Sequence, residues 1–146
     1  MKHAQRGTAI VEFALVLPLL LLLTMTTTEF GRAIYQYNTI VKSLRDATRY
    51  LSTQTPNTKL AEAKNLVVFG NIAGSGQALV PGLTVAKVSI PPWQQIGSNP
   101  VINTVNVTVT GYKFHSLFAS VLGVTFGDIN GDIPFGPISA TMRGSS

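Results

Sequence analysis

Arg6-Gly7-Thr8-Ala9-Ile10-Val11-Glu12-Phe13-Ala14-Leu15-Val16-Leu17-Pro18, followed by Leu19 to Leu23, is an apolar run with one acid near its start. From Phe13 to Leu23 no residue is charged. With its Thr-rich shoulder the low-charge span runs from Thr8 to Thr28, about 20 residues, which is long enough to cross a bilayer as a helix. Glu12 sits inside it. A carboxylate at membrane depth costs on the order of 2–3 kcal/mol or more, so it marks function by default and needs a partner. A cut after Gly7 would create an amino terminus on Thr8, one helical turn before Glu12. That ammonium could neutralise Glu12 in its own chain or in a neighbour. Pro18 removes the helix hydrogen bond to the carbonyl of Ala14, which membrane helices tolerate, and a simple kink is enough to account for it.

Two plainer readings compete. A cleaved secretory signal also has a basic start and an apolar core. Here Glu12 interrupts that core, and Met25 to Thr28 offers threonines where small residues are needed for cleavage. An uncleaved membrane anchor is the other, and it leaves Glu12 without a partner.

The helix is expected to continue past the membrane. Phe30, Ile34, Tyr37, Val41, Leu44, Thr48 and Leu51 recur at alternating spacings of four and three, and backwards the register meets Leu23, Leu20, Val16, Phe13 and Ala9. Arg32, Gln36, Lys42, Arg45 and Arg49 lie off that seam, as in an amphipathic helix. From Thr8 to Leu51 it would be roughly 65 Å long. The half after Phe30 is expected to serve the chain's own domain. Pro56 bars continuation, so Ser52 to Asn57 reads as a stop. Thr58 is the expected cap of a second helix, Lys59 to about Phe69, with Glu62 in its first turns. Leu60, Ala63, Leu66, Val67 and Gly70 are placed on its inner face. Gly70 to Gly76 has neither the preceding strand nor the Lys of a phosphate-binding loop, and reads as a flexible connection.

Beyond Pro81-Gly82, Leu83 to Ile90 alternates as a strand, with room for a shift between Val85 and Val88. Pro91 to Pro100 reads as a loop. Val101 to Tyr112 is the clearest strand, rich in β-branched residues. Lys113 to Gly123 reads as a short helix or loop whose Phe114, Leu117, Phe118, Val121 and Leu122 cover the sheet. Asp128 to Pro137 is turn-rich, and Ile138 to Met142 is a last strand. The expected fold is α+β: a long N-terminal transmembrane and amphipathic helix packed on a small antiparallel β-sheet domain with a second short helix.

The N-terminal residues resemble the type IV prepilin cleavage signal: a basic leader, Gly7, four residues, then Glu12. The string from Val11-Glu12-Phe13 to Pro18, followed by Glu29-Phe30-Gly31-Arg32, is similar to the TadE-like minor pilins (pseudopilins) of tight-adherence, or Flp, pilus systems. Ser43-Leu44-Arg45-Asp46-Ala47-Thr48-Arg49-Tyr50 looks like that family's segment after the membrane helix. The resemblance covers about residues 5–55. It implies a leader over 1–7, a transmembrane helix over 8–28, a helix extension over 29–55 and an extracytoplasmic α+β domain over 56–146. It also implies cleavage between Gly7 and Thr8, and assembly contacts through Glu12, Phe13 and Pro18. The partners it implies are the bacterial inner membrane, a prepilin peptidase, other pilins of the system and the pilus assembly platform. The charges flanking the span are balanced, so the positive-inside count is a draw. The resemblance decides for a cytoplasmic N-terminus and an outer domain that is periplasmic, extracellular or carried in the pilus. The function implied is structural, in pilus assembly and surface adhesion. The rival reading is an unprocessed, membrane-anchored extracytoplasmic binding protein.

Composition narrows the chemistry. Net charge is +5 over 146 residues, and a cut after Gly7 removes Lys2 and Arg6, leaving nine basic residues against six acids. That balance is mild and lacks aromatic interleaving, so nucleic acid is not an expected partner. The absence of cysteine rules out a disulfide framework. Asp128-Ile129-Asn130-Gly131-Asp132 begins like a Ca²⁺ loop, with Asp128, Asn130 and Asp132 as its three oxygen donors. The loop then fails, because Ile133 and Ser139 stand where Gly and the bidentate Glu belong, and an Asx turn is the simpler reading. His115 alone cannot build a zinc site, and no serine lies in a nucleophile-elbow pattern. No cofactor, no resident metal and no enzymatic activity are expected.

Overall fold

The computed structural model describes residues 4–118, 120–121 and 123–144. One helix, α1, runs unbroken from Ala4 to Ser52 with Pro18 inside it. Its first half is held by propensity and by local bonds. The hydroxyls of Thr24, Thr26, Thr27 and Thr28 each donate to the carbonyl four residues back, at 2.8–2.9 Å. Bonding of that kind satisfies polar side chains inside the helix itself, so a threonine shoulder can lie in lipid. The helix is long and apolar enough to cross a membrane.

By its internal contacts the chain divides into two compact units. One comprises the helix up to Ile34 with His115–Ile133; the other comprises Tyr35–Phe114 with Pro134 onward. The second unit holds the main core. Ile40, Leu44, Ala47 and Leu51 of α1, Ala63, Val67 and Val68 of α2 (Leu60–Phe69), and Val105, Val107 and Val109 of the sheet form one buried cluster. The buried face of α1 differs from the expected seam. Gln36, Ile40, Ser43, Leu44, Ala47, Thr48 and Leu51 are buried, whereas Phe30, Ile34 and Tyr37 are exposed. Gln36 is inside because its side chain accepts a 2.7 Å hydrogen bond from the Tyr112 hydroxyl, whose single proton is shared with the Pro81 carbonyl at 3.1 Å. Buried polar groups are tolerated when paired in this way.

α1 ends at Ser52, before Pro56. Thr58 does not cap α2. Lys59 occupies the cap position in the left-handed region (φ 57°) without a side-chain cap bond, and the Thr58 hydroxyl donates to the Thr55 carbonyl. Gly70 is not inward either; it is the exposed left-handed C-cap (φ 73°). Glu62 ties the two helices together, accepting from the Tyr50 hydroxyl and pairing with Lys59 at 2.7 Å.

The sheet is centred on β3 (Ile102–Val109), where Val105, Val107 and Val109 are buried in strict alternation. β8 (Ile138–Arg143) pairs antiparallel along it from Thr104↔Arg143 to Val109↔Ile138. Also antiparallel to β3 lie β1 (Val88–Ser89), at Val88↔Val109, and β2 (Gln94–Ile96), at Gln94↔Thr104. Two expectations are corrected here. Leu83 to Ile90 holds a 3-10 turn (Val85–Lys87) and only two strand residues, and Pro91 to Pro100 contains a strand. Pro91 and Pro92 cannot donate to a ladder, so the pairing stops at the prolines and resumes at Gln94. Lys113 to Gly123 is not helical among the described residues. It contributes β4 (Lys113–His115), which pairs with β7 (Asp132–Pro134), and β5 (Ser120–Val121), which pairs with β6 (Val124–Thr125). Phe114 is buried and stacks on Phe135 at 6.4 Å, while Leu117 is exposed. Leu122 lies outside the described residues.

Candidate functional site

The sequence-derived assembly residues all lie on the surface of the first half of α1. Gly7, Thr8, Val11, Glu12 and Leu15 share one face of the helix. Phe13 is 61 % exposed and Pro18 is exposed as well. Among the described residues nothing hydrogen-bonds or ion-pairs with the Glu12 carboxylate. An α-helix of Leu, Val, Ala and Ile has no reason to fold back on itself, so its apolar residues and its one acid face outward together. Thr8 and Glu12 are one turn apart, about 6 Å along the axis. A Cβ added at Gly7 would meet nothing within 4 Å, so the absence of a side chain there serves no packing within the chain.

A second acid was read from the sequence as a flanking charge and as part of the Glu29-Phe30-Gly31-Arg32 resemblance. Glu29, one residue beyond the apolar span, is 5 % exposed. One carboxylate oxygen takes the Arg32 guanidinium at 2.6 Å, and the other accepts the backbone N–H of Leu117 at 3.2 Å. Burial pushes its pKa upward, but the bonds from Arg32, the Ser116 hydroxyl and the Leu117 amide outweigh that and hold it below the ordinary glutamate value. Glu29 thus fastens the His115–Ile133 segment to the helix just where the apolar span ends. The sequence clue was an acid with Arg32 at i+3; nothing local pointed to Leu117.

The family model that matches the chain is TadE, described as TadE-like protein, over residues 7–49. Over that stretch the chain is similar to TadE-like proteins. No curated protein and no solved structure matches the chain. The TadE-like stretch carries Gly7, Thr8, Glu12, Phe13, Pro18 and Glu29, and it ends near the last turn of α1.

The weak cation candidate lies outside the TadE-like stretch. Asp128 is occupied as an Asx turn: its Oδ1 accepts the N–H groups of Asn130 (2.9 Å) and Asp132 (3.0 Å). Asp132 Oδ1 faces His115 Nδ1 at 3.0 Å. Gly127 closes the turn with φ 88°, and a Cβ there would lie 2.7 Å from the Asp132 carbonyl oxygen. Those bonds give Asp128 and Asp132 structural work that explains their spacing without a cation. Among the described residues no group of three His, Cys, Asp or Glu could hold a metal ion.

Proposed function

We propose that this protein is a minor pilin or pseudopilin of a tight-adherence pilus system, serving pilus assembly and surface adhesion as a structural component and not as an enzyme. The observation that carries the reading is the TadE-like match over residues 7–49, with an acid exposed on an otherwise apolar helix. In this reading a prepilin peptidase cuts between Gly7 and Thr8 on the cytoplasmic side of the inner membrane. The helix remains as a single membrane span, and the domain after it lies outside. The new Thr8 ammonium and Glu12 are too loosely placed within one helix to pair well. A neighbouring subunit, shifted axially by about one turn, brings its Thr8 amine beside Glu12, where the attraction is strong at low dielectric. Glu12 then sets the stagger between subunits, and Phe13 and the Pro18 kink shape the surrounding contact.

The N-terminal sequence of the protein purified from membranes of its host tests this directly. Thr8 as first residue supports the reading. Met1 as first residue supports an unprocessed anchor carrying an extracytoplasmic binding domain.

A further inference from the structure

We propose that the His115–Ile133 segment is a membrane-surface foot, which seats Leu117 and Ile129 in the interfacial layer of the bilayer that α1 crosses. The proposal rests on the reading of Thr8–Thr28 as a membrane span, but the observations that carry it lie elsewhere in the chain.

A short series of bonds fixes where the segment lies. Glu29 follows the apolar span directly and holds the Leu117 amide. The neighbouring Ser116 N–H donates to the Gly131 carbonyl at 2.8 Å, and Gly131 N–H donates to the Asp128 carbonyl at 2.8 Å. The turn bearing Ile129 therefore hangs from the residue beside Leu117, within a few residues' reach of the end of the span. Both apolar side chains point away from the protein: Leu117 is 66 % exposed and Ile129 is 97 % exposed. Phe30, one residue past Glu29 on α1, is 68 % exposed. A lone exposed leucine needs no explanation, but three large apolar side chains around the exit of a membrane helix do. Water is a poor solvent for all three, and the lipid boundary is the apolar phase that the helix itself brings alongside.

The charges nearby indicate which kind of lipid contact this is. Asp128 and Asp132 flank Ile129, His115 faces Asp132, and Glu29 and Arg32 pair with each other. Among the described residues of this segment there is no basic cluster to seek anionic headgroups. Insertion is driven by apolar burial and fits a zwitterionic surface.

The chain contains no cysteine, so single thiols can be placed without background. The full chain carrying Leu117→Cys, Ile129→Cys, Leu20→Cys or Thr53→Cys is labelled with an environment-sensitive fluorophore and reconstituted into phosphatidylcholine vesicles. Ile129 and Thr53 are both exposed, so neither substitution disturbs packing. Nitroxide lipids with the quencher near the headgroup should quench the labels at 117 and 129 several-fold more than the label at 53, and a chain-end quencher should reach the label at 20. The proposal is overturned if the labels at 117 and 129 behave like the one at 53 while the label at 20 is quenched. It is equally overturned if they are shielded from aqueous iodide yet untouched by lipid quencher, which would mean that protein covers them. If the label at 20 is not quenched, the membrane reading itself fails and the foot fails with it.

Discussion

Single residues test the proposed assembly and the fit of the domain. Glu12→Leu removes an exposed carboxylate that no hydrogen bond or ion pair holds among the described residues, so the protein should still be made, inserted and cut after Gly7. It should fail to capture its pilin partners in a cross-linking assay, and Glu12→Asp should be partly defective because the shorter arm keeps the charge but not the reach. Wild-type capture by Glu12→Leu would remove the register role. A Cβ at Gly7 meets nothing within 4 Å among the described residues, so Gly7→Val should fold and insert normally and accumulate as an uncut precursor on a gel; mature-sized product would refute cleavage there. Gly144 makes the opposite case. A Cβ at Gly144 would lie 2.1 Å from the Trp93 ring. Gly144→Ala should therefore lower stability by about 1–3 kcal/mol, as overpacking does. The emission of Trp93, the only tryptophan, reports both the altered contact and the lower denaturation midpoint.

Among the elements, α1 is one helix with two kinds of surface. Its later turns are buried by the chain's own sheet, and its earlier turns are exposed. Gly31 sits between them, in mid-helix, with open space where a Cβ would be. Gly31→Ala should raise the stability of the isolated protein by up to about 1 kcal/mol through helix propensity alone, read as a higher midpoint in detergent; a loss would mean that Gly31 has an internal packing role. The tether at Glu29 belongs to the same scale. Because its folded pKa is depressed, the carboxylate's contribution is complete above the ordinary value of 4.5 and is lost as pH falls through the lower folded value. The Leu117 amide resonance should therefore titrate with a midpoint below 4.5, and Glu29→Gln should abolish that titration. A midpoint at or above 4.5 would show that the carboxylate does not hold the segment.

For the molecule as a whole, the core cluster sits among Tyr35–Phe114 and the chain after Pro134, so that part should stand without the membrane helix. A chain beginning at Gly31 keeps Ile40, Leu44, Ala47 and Leu51 against the sheet. It should be soluble and melt cooperatively without lipid, metal or reductant. A chain beginning at Pro56 loses all four and bares the apolar faces of α2 and β3, and it should aggregate. Equal behaviour of the two in size-exclusion chromatography and thermal melts would mean that α1 does not complete the core.

The sequence by itself determined the long helix, its apolar and acid-bearing first half, the stop before Pro56, and the β3 and β8 strands. Each of these is written in a local period or in a residue that forbids continuation. Glu12 stood out as a candidate because a charge in an apolar run shows without any fold; Gly7, Thr8, Phe13 and Pro18 were candidates through the resemblance, and all five are exposed on α1. The sequence seam placed Leu44, Thr48 and Leu51 inside, but only the tertiary structure turned Gln36 inward and left Phe30, Ile34 and Tyr37 outside, because Gln36 is held by a tyrosine 76 residues away. Only the tertiary structure gave Glu29 its role, through an amide 88 residues away, and reunited β1 and β2 on one partner across a break of two prolines. A buried polar group is defined by the partner that satisfies it, and a strand shorter than its own period by the neighbour it pairs with. Neither partner is written in the residues nearby.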